Sequence, residues 1–450
     1  MSFLVAGRSP VTWGSNLRSR FSQKFKLYTS TENHSKKIIP LLPNVPSEID
    51  SRFWDACVGD ALRTLMGGAG YDAATLDANL KFCSQSVAPY LGSRPTRGQP
   101  PQWKSFMTDD FSPLEYSWSW DGTPTIRYSF EPIGPLAGTR LDPYNHKAPM
   151  QYVDRLRHSL PGADWRWFDH FAREFYQDST SASRELLASG EGSSASSMFV
   201  GFDLTRDGLV CKMYFVPVKA EQTGQSRLTV LEDAVRGLPN YHQLAAYSYL
   251  ENFLRRQERD MPQQIIGVAV DCIDPSLAKL KVYFRSPTTT FASVIDTLTA
   301  GGTISTWNDS ALEELRALWS LVFGLPPNFS DDQELPWKSH ETSGVLYNFD
   351  IKIGNRQPET KVYIPVRHYS HNDRVIAEGL VEFLRQHRGH TQYDDNFLRT
   401  LEQLSSFRSL EDGCGLQTYI SCSFKKNKLS LTSYLSPQIY HPRRWSQTAS

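Results

Sequence analysis

The chain lacks long apolar runs, paired cysteines, metal-ligand spacings and any excess of charge, and each absence removes a class of function. In its 450 residues no apolar stretch approaches the roughly 18 that a membrane-spanning helix needs. Phe3-Leu4-Val5-Ala6 is too short for the core of a secretory signal. A soluble, cytoplasmic protein with no membrane partner is expected. The six cysteines, Cys57, Cys83, Cys211, Cys272, Cys414 and Cys422, form no C-x-x-C pair, which argues against zinc and redox motifs and fits a reducing compartment. The eleven histidines contain no H-E-x-x-H, and there is no G-x-S-x-G elbow. The pairs Asp109-Asp110, Asp331-Asp332 and Asp394-Asp395 do not continue into D-D-x-x-D. Gly67-Gly68-Ala69-Gly70 follows no strand, and no G-x-G-x-x-G opens a helix, so neither a phosphate loop nor a dinucleotide fold is expected. Lys plus Arg and Asp plus Glu balance at 48 each, which speaks against a nucleic-acid or anionic-membrane binder. A basic site must therefore be local, and no metal or cofactor is called for.

What is present is an apolar content of 40% and an aromatic content of 12%, enough for a large core. Residues 1–45 are Ser/Lys-rich without periodicity and read as a flexible leader. Residues 46–440 read as one domain and 441–450 as a tail. Helical spacing starts at Phe53, Trp54, Cys57, Val58, Ala61, Leu62 and Leu65, and a second helix is expected over Ala73 to Tyr90. Five strand–turn–strand patterns follow. They are Leu114–Trp120 with Thr125–Ile133, Met198–Leu204 with Leu209–Val218, Ile265–Cys272 with Leu277–Phe284, Val345–Ile353 with Lys361–Val366, and Leu416–Phe424 with Leu429–Leu435. Helical segments lie between them, at Gln151–Leu160, Trp165–Tyr176, Tyr241–Arg256, Ala311–Phe323 and Arg374–Arg388. Tyr214, Tyr283, Tyr363 and Tyr434 are 69, 80 and 71 residues apart, a repeat of two strands plus about two helices. Five hairpins make ten antiparallel strands, and closing them into a barrel removes the edges. The expected fold is α+β, a ten-stranded antiparallel barrel ringed by helices from repeated ααββ units.

One pattern recurs on the return strands: Lys212-Met213-Tyr214, Lys281-Val282-Tyr283 and Lys361-Val362-Tyr363, with Arg127-Tyr128 and Ser433-Tyr434 as looser relatives. Residues i and i+2 share a strand face, so each Lys and its Tyr point to the same side. Arg127, Lys212, Lys279, Lys281 and Lys361 are then candidate lumen cations. Few acidic residues are expected on their faces, which makes a bound anion such as a diphosphate the natural counter-charge. Tyr214, Tyr283, Tyr363 and Tyr434 offer aromatic faces to a cation. Glu115 shares a face with Ser117 and Ser119, opposite Tyr116, Trp118 and Trp120. It is a candidate hydrogen-bond acceptor and base, kept ionised by the lumen cations.

The stretches Pro113-Leu114-Glu115, Ile126-Arg127-Tyr128-Ser129-Phe130-Glu131-Pro132, Cys211-Lys212-Met213-Tyr214, Lys279-Leu280-Lys281-Val282-Tyr283, Lys361-Val362-Tyr363 and Thr418-Tyr419-Ile420-Ser421 resemble, in order, the fungal aromatic prenyltransferases of the dimethylallyltryptophan synthase type. The resemblance covers about Pro46 to Tyr440. It implies the same barrel and metal-independent transfer of a dimethylallyl group from its diphosphate to an electron-rich ring, in secondary metabolism. It also implies that the five basic residues hold the diphosphate, the four tyrosines shield the allyl cation, and Glu115 holds an indole N–H. Lys279 stands where tryptophan-using members often have Arg, Lys361 where some have Gln, and Ser430 where some have another Tyr. Ile266 falls about where those members carry an Arg for the free carboxylate. That departure points to an acceptor without one, such as a tryptophan-containing cyclic dipeptide or another indole alkaloid. A phenolic or polyketide acceptor, and a non-catalytic barrel carrying a lipophilic anion, remain open.

Overall fold

The computed structural model describes residues 47–177, 196–258 and 263–446. The expected leader, residues 1–45, lies outside them, as do residues 447–450 of the tail; residues 442–446 form a short helix.

Ten antiparallel strands close into a barrel: β1 Leu114–Ser119, β2 Thr125–Phe130, β3 Met198–Thr205, β4 Gly208–Phe215, β5 Gln264–Asp271, β6 Lys279–Ser286, β7 Val345–Lys352, β8 Glu359–Ile364, β9 Gln417–Lys425 and β10 Lys428–Leu435. Each strand pairs with its neighbours in sequence, and β1 closes the ring against β10 through Tyr116↔Leu435 to Ser119↔Thr432. The hairpins lie where the turn residues place them. Lys426 and Asn427 both adopt positive φ, as a two-residue hairpin turn requires.

The alternation along each strand sorts the residues. On β6, Leu280, Val282 and Phe284 are fully buried on the outer face, and Lys279, Lys281, Tyr283 and Arg285 point inward. On β1, Tyr116 and Trp118, with Trp120 just past its end, pack outward, and Trp118 meets Phe397 with ring centroids 5.5 Å apart. The apolar core is therefore the annulus between sheet and helices, while the lumen is polar and aromatic.

The helices close this annulus. Helix Asp309–Phe323 is capped by Asn308, whose Oδ1 accepts from Ala311 N at 2.9 Å, and ends at Gly324 in the left-handed region. It packs against helix Asp373–Arg388 so closely that a Cβ on Gly379 would lie 2.4 Å from Leu321 O. Several boundaries differ from the sequence expectation: the helix expected from Gln151 starts at Lys147, and 3₁₀ turns shorten two others. Val87 interrupts the second helix, which ends at Ser86 and is followed by a 3₁₀ turn over Ala88–Tyr90. The helix expected from Tyr241 begins at Tyr247, after a separate 3₁₀ turn, Tyr241–Gln243.

Asp373 fastens the helical layer to the barrel. It is fully buried, accepts from Leu416 N at 3.1 Å and Gln417 N at 2.8 Å, and pairs with the buried guanidinium of Arg408. Asp373→Ala strands that charge and two amides at the start of β9. Breaking a buried pair from one side typically costs about 3–5 kcal/mol. The urea midpoint of Asp373→Ala should fall accordingly; an unchanged midpoint would show that the pair contributes nothing net.

Candidate active site

The lumen is layered along the barrel axis. At one end stand the five basic residues singled out in the sequence. They are not surrounded by empty space. Lys212 Nζ lies 2.5 Å from Asp203 Oδ2, and Arg127 Nε 3.3 Å from Asp203 Oδ1. Lys281 pairs with Asp271 at 2.8 Å, and Lys279 with Asp350 at 3.0 Å and Glu359 at 2.7 Å. The expectation that few carboxylates share these faces is overturned: cross-strand register brings one beside four of the five cations. Asp350 stays well below the ordinary carboxylate range, because Lys279, Lys281 and Lys361 outweigh the opposing effect of burial.

Lys361 is the exception. Among the described residues it makes no ion pair and only faces the ring of Tyr363, 5.9 Å from its centroid. Burial pushes its ammonium down to about 8, against a partial opposing pull from Asp350. A lysine with three donors can hold a carboxylate and a phosphate oxygen together. The paired cations are thus pre-oriented, and Lys361 is free to take an anion.

Above this layer runs a belt of phenols. Tyr214 and Tyr283 have centroids 6.1 Å apart, Tyr283 and Tyr363 5.9 Å, and Tyr363 and Tyr434 5.5 Å. Phe199 stacks on Tyr214 at 4.4 Å, and Tyr419 meets Tyr363 edge-on at 6.2 Å. Gly201 makes room, since a Cβ there would lie 3.0 Å from the Tyr214 ring. Burial raises the pKa of all four sequence-predicted tyrosines, so the phenols stay protonated. Ser430, expected to thin this belt, bonds Asp121 at 2.5 Å, four residues along β10 from Tyr434. The fifth ring is Tyr419, which the sequence reading quoted but did not assign.

The belt floors a cavity of about 130 Å³ that opens at its mouth. Glu115, Ser129, Ile266, Arg285, Leu346 and Arg367 are among its walls, with Phe106 and Met107 supplied by the preceding loop. The basic residues do not line this cavity; they lie beyond the tyrosines. The loop is held by Glu131, which accepts from Trp103 Nε1 at 2.9 Å, Ser105 Oγ at 2.6 Å and Asn145 Nδ2 at 2.8 Å.

Glu115 accepts from Thr418 Oγ1 at 2.6 Å. Burial pushes its carboxyl up to about 7, and the Thr418 bond and Arg367 offset only part of that. The expectation that lumen cations keep it firmly ionised is therefore corrected: the five basic residues lie beyond the tyrosines, Arg367 is shared with Asp109, and Glu115 is poised near neutrality. Behind Thr342 and Arg367 of the cavity wall, Asp109, His340 and His368 bring ligand-type atoms within 4.8 Å of one another, a grouping invisible in the sequence spacing. Thr342 Oγ1 lies 2.8 Å from a nitrogen of each imidazole, and Arg367 Nε 2.8 Å from Asp109. Burial and Arg367 keep His368 neutral, down to about 3, so protein groups already occupy that corner.

Residues 50–400 match the family described as tryptophan dimethylallyltransferase. The 4-O-dimethylallyl-L-tyrosine synthase of Claviceps purpurea is 35% identical over 403 residues, covering 88% of this chain and 89% of that protein. The 7-dimethylallyltryptophan synthase of Aspergillus fumigatus is 32% identical over 410 residues, covering 86% and 85%. The crystal structure of NotF in complex with brevianamide F and DMSPP superposes with a TM-score of 0.74 at 22% identity, over 89% of this chain and 96% of NotF, a likeness of fold. The closed ten-stranded barrel and these matches together establish that the chain belongs to the dimethylallyltryptophan synthase family of aromatic prenyltransferases.

Proposed function

We propose that the protein transfers a dimethylallyl group from dimethylallyl diphosphate to an indole-containing acceptor, without a metal ion, in secondary metabolism, as one domain spanning residues 46–440. The observation that carries this reading is the order of groups along one lumen: cations, then a belt of phenols, then a carboxylate poised near neutrality. Dimethylallyl diphosphate lies with its diphosphate on Arg127, Lys212, Lys279, Lys281 and Lys361. Its allyl group sits among Tyr214, Tyr283, Tyr363 and Tyr434. The C1–O bond breaks and the diphosphate leaves with the electron pair, its charge neutralised by fixed cations. The aromatic ring, held through its N–H by Glu115, attacks the allyl cation; a new bond to C1 or C3 forms, and the displaced proton leaves toward Glu115.

Ile266 presents no charge from β5, which on its own admits a tryptophan-containing cyclic dipeptide or an indole alkaloid. NotF, with brevianamide F, and the 7-dimethylallyltryptophan synthase give the indole reading its analogy. A phenolic acceptor is the second reading. A carboxyl near 7 is suited to drawing a proton from a hydroxyl, and the Claviceps relative is named for O-prenylation of tyrosine. Mass spectrometry of products from dimethylallyl diphosphate with a panel of indoles and phenols tests both. No product and no released diphosphate with any of them would leave a barrel that only binds a lipophilic anion.

Turnover should persist in excess EDTA, because side chains supply the neutralising charge; activity lost on chelation and restored by magnesium would sink the metal-independent mechanism.

Lys361→Met is the cleanest probe of the basic layer, since it strands no carboxylate. A charge-assisted bond to an anion is typically worth about 1.5–3 kcal/mol, so kcat/KM for the prenyl diphosphate should fall roughly ten- to a hundredfold. Stability should not fall, because the folded state loses a buried, partly uncharged lysine. In the wild type the same parameter should decline above pH 8 as Lys361 loses its proton, and this limb should vanish in the variant. A variant with wild-type kinetics would exclude Lys361 from the site.

Glu115→Gln should lower the prenylation rate by about 10²–10⁴ and leave prenyl diphosphate affinity little changed. The pKa of Glu115 is raised in the fold from 4.5 to about 7. Its contribution to stability is therefore complete below the unfolded value and is lost as pH rises through 7. Activity should rise over that same interval, and the Gln variant should lose both dependences. A pH-independent wild-type rate between 6 and 8 would rule out Glu115 as the titrating base.

A further inference from the structure

The ladder between β9 and β10 slips by one residue beside the cavity. Ser433 faces Ile420 and Leu435 faces Gln417, so β9 spends three residues where β10 spends two. Thr418 and Tyr419 therefore both lie opposite Tyr434, the arrangement of a β-bulge. The bulge changes which way a side chain faces. Gln417 and Ile420 are fully buried on the outer face, where Gln417 Nε2 donates to Asp373 O at 2.6 Å. Strict alternation from Ile420 would send Thr418 outward with it. The extra residue instead turns Thr418 and Tyr419 into the lumen together.

Tyr419 joins the cavity wall, whereas Thr418 is buried behind Glu115. β10 lies between β9 and β1, and Thr418 reaches past it to donate from Oγ1 to Glu115 Oε1 at 2.6 Å. Among the described residues no other hydrogen bond reaches this carboxylate, so Oε2 is left open in a side chain that lines the cavity. Thr418 is itself fixed from the helical layer, because Asp373 binds the N–H groups of Leu416 and Gln417, the two residues before it.

We propose that Thr418 is a positioning residue for prenyl transfer: its hydroxyl holds Oε1, fixes the rotamer of Glu115 and presents Oε2 to the N–H or O–H of the acceptor. This rests on the prenyl-transfer reading and adds to it a residue that touches neither substrate. A hydroxyl donating to a carboxylate also favours its charged form. The Thr418 bond and Arg367 are the two influences that oppose burial at Glu115, and Asp109 acts with burial. The titratable groups facing Glu115 are Arg367 from the short helix Val366–Tyr369, Asp109 from the loop before β1, Tyr434 from β10 and Tyr419 from β9, with Arg285 and the remaining phenols across the cavity. Replacing Thr418 removes none of them, so a change in the titration of Glu115 reports the hydroxyl.

The test compares Thr418→Val, which keeps the branched shape and loses the donor, with Thr418→Ser, which keeps the donor, in the full-length enzyme. In Thr418→Val the acid limb of the pH profile of kcat/KM for the acceptor should move up by about one pH unit, lowering the rate at pH 7 roughly fivefold. KM for dimethylallyl diphosphate should not change, and Thr418→Ser should return the limb to its wild-type position. A purely structural role, through the start of β9, would lower the rate by one factor at every pH and leave the limb in place. An unmoved limb in Thr418→Val, or a Thr418→Ser enzyme that shares its shift, would overturn the assignment. If wild type turns over no acceptor, or its profile is flat, the prenyl-transfer reading or the base role of Glu115 fails separately. Infrared pH-difference spectra of the protein alone then decide the role of Thr418. The protonated-carboxyl band that Glu115→Gln abolishes should persist to higher pH in Thr418→Val than in wild type, and equal midpoints would overturn the proposal.

Discussion

Charged groups inside a closed ring of ten strands are buried, and the cost of charge in that space governs the rest of the molecule. The outer face of every strand can be apolar because helices cover it. The inner face cannot be filled by apolar side chains without losing the lumen, so it carries polar groups that must be satisfied by one another. Lys212 and Arg127 share Asp203, and Lys279 is held between Asp350 and Glu359. These pairs are the condition under which a basic layer can be buried inside the barrel. They also fix the ammonium groups in place, so ordering them is not charged to ligand binding.

Much of the architecture was legible because it is local. Alternation with period 2, turn residues and the recurring Lys-x-Tyr spacing each need only a few neighbouring residues, and together they placed ten strands and the lumen face. The ion pairs were not legible because they depend on register. Asp203 reaches Lys212 diagonally across the β3–β4 hairpin, and Asp350 and Glu359 reach Lys279 from two further strands. Glu115 was misjudged for a related reason. Its strand face could be read, but the five basic residues lie beyond the tyrosines, Arg367 is shared with Asp109, and burial dominates. Arg285 had a usable signal, since it continues the i, i+2 ladder from Tyr283. Arg367, Tyr419 and Asp109 had none, because a short helix, β9 and a loop bring them together.

Two titrating groups that line the lumen without a full counter-charge are both displaced toward neutrality, Lys361 down to about 8 and Glu115 up to about 7, on opposite sides of the phenol belt. A diphosphate beside Lys361 would restore its positive charge. An allyl cation above the belt would draw Glu115 toward its ionised form. Each substrate would thereby recover electrostatic energy that burial costs these groups, and the recovery by Glu115 would be largest when positive charge develops, which is when it accelerates the reaction. The phenols complete the argument. Burial keeps them protonated, so they present neutral rings to a cation and no phenolate that could capture it. A lumen that penalises charge everywhere is thus compatible with a cationic intermediate, provided its aromatic faces are fixed and its one base lies beyond them.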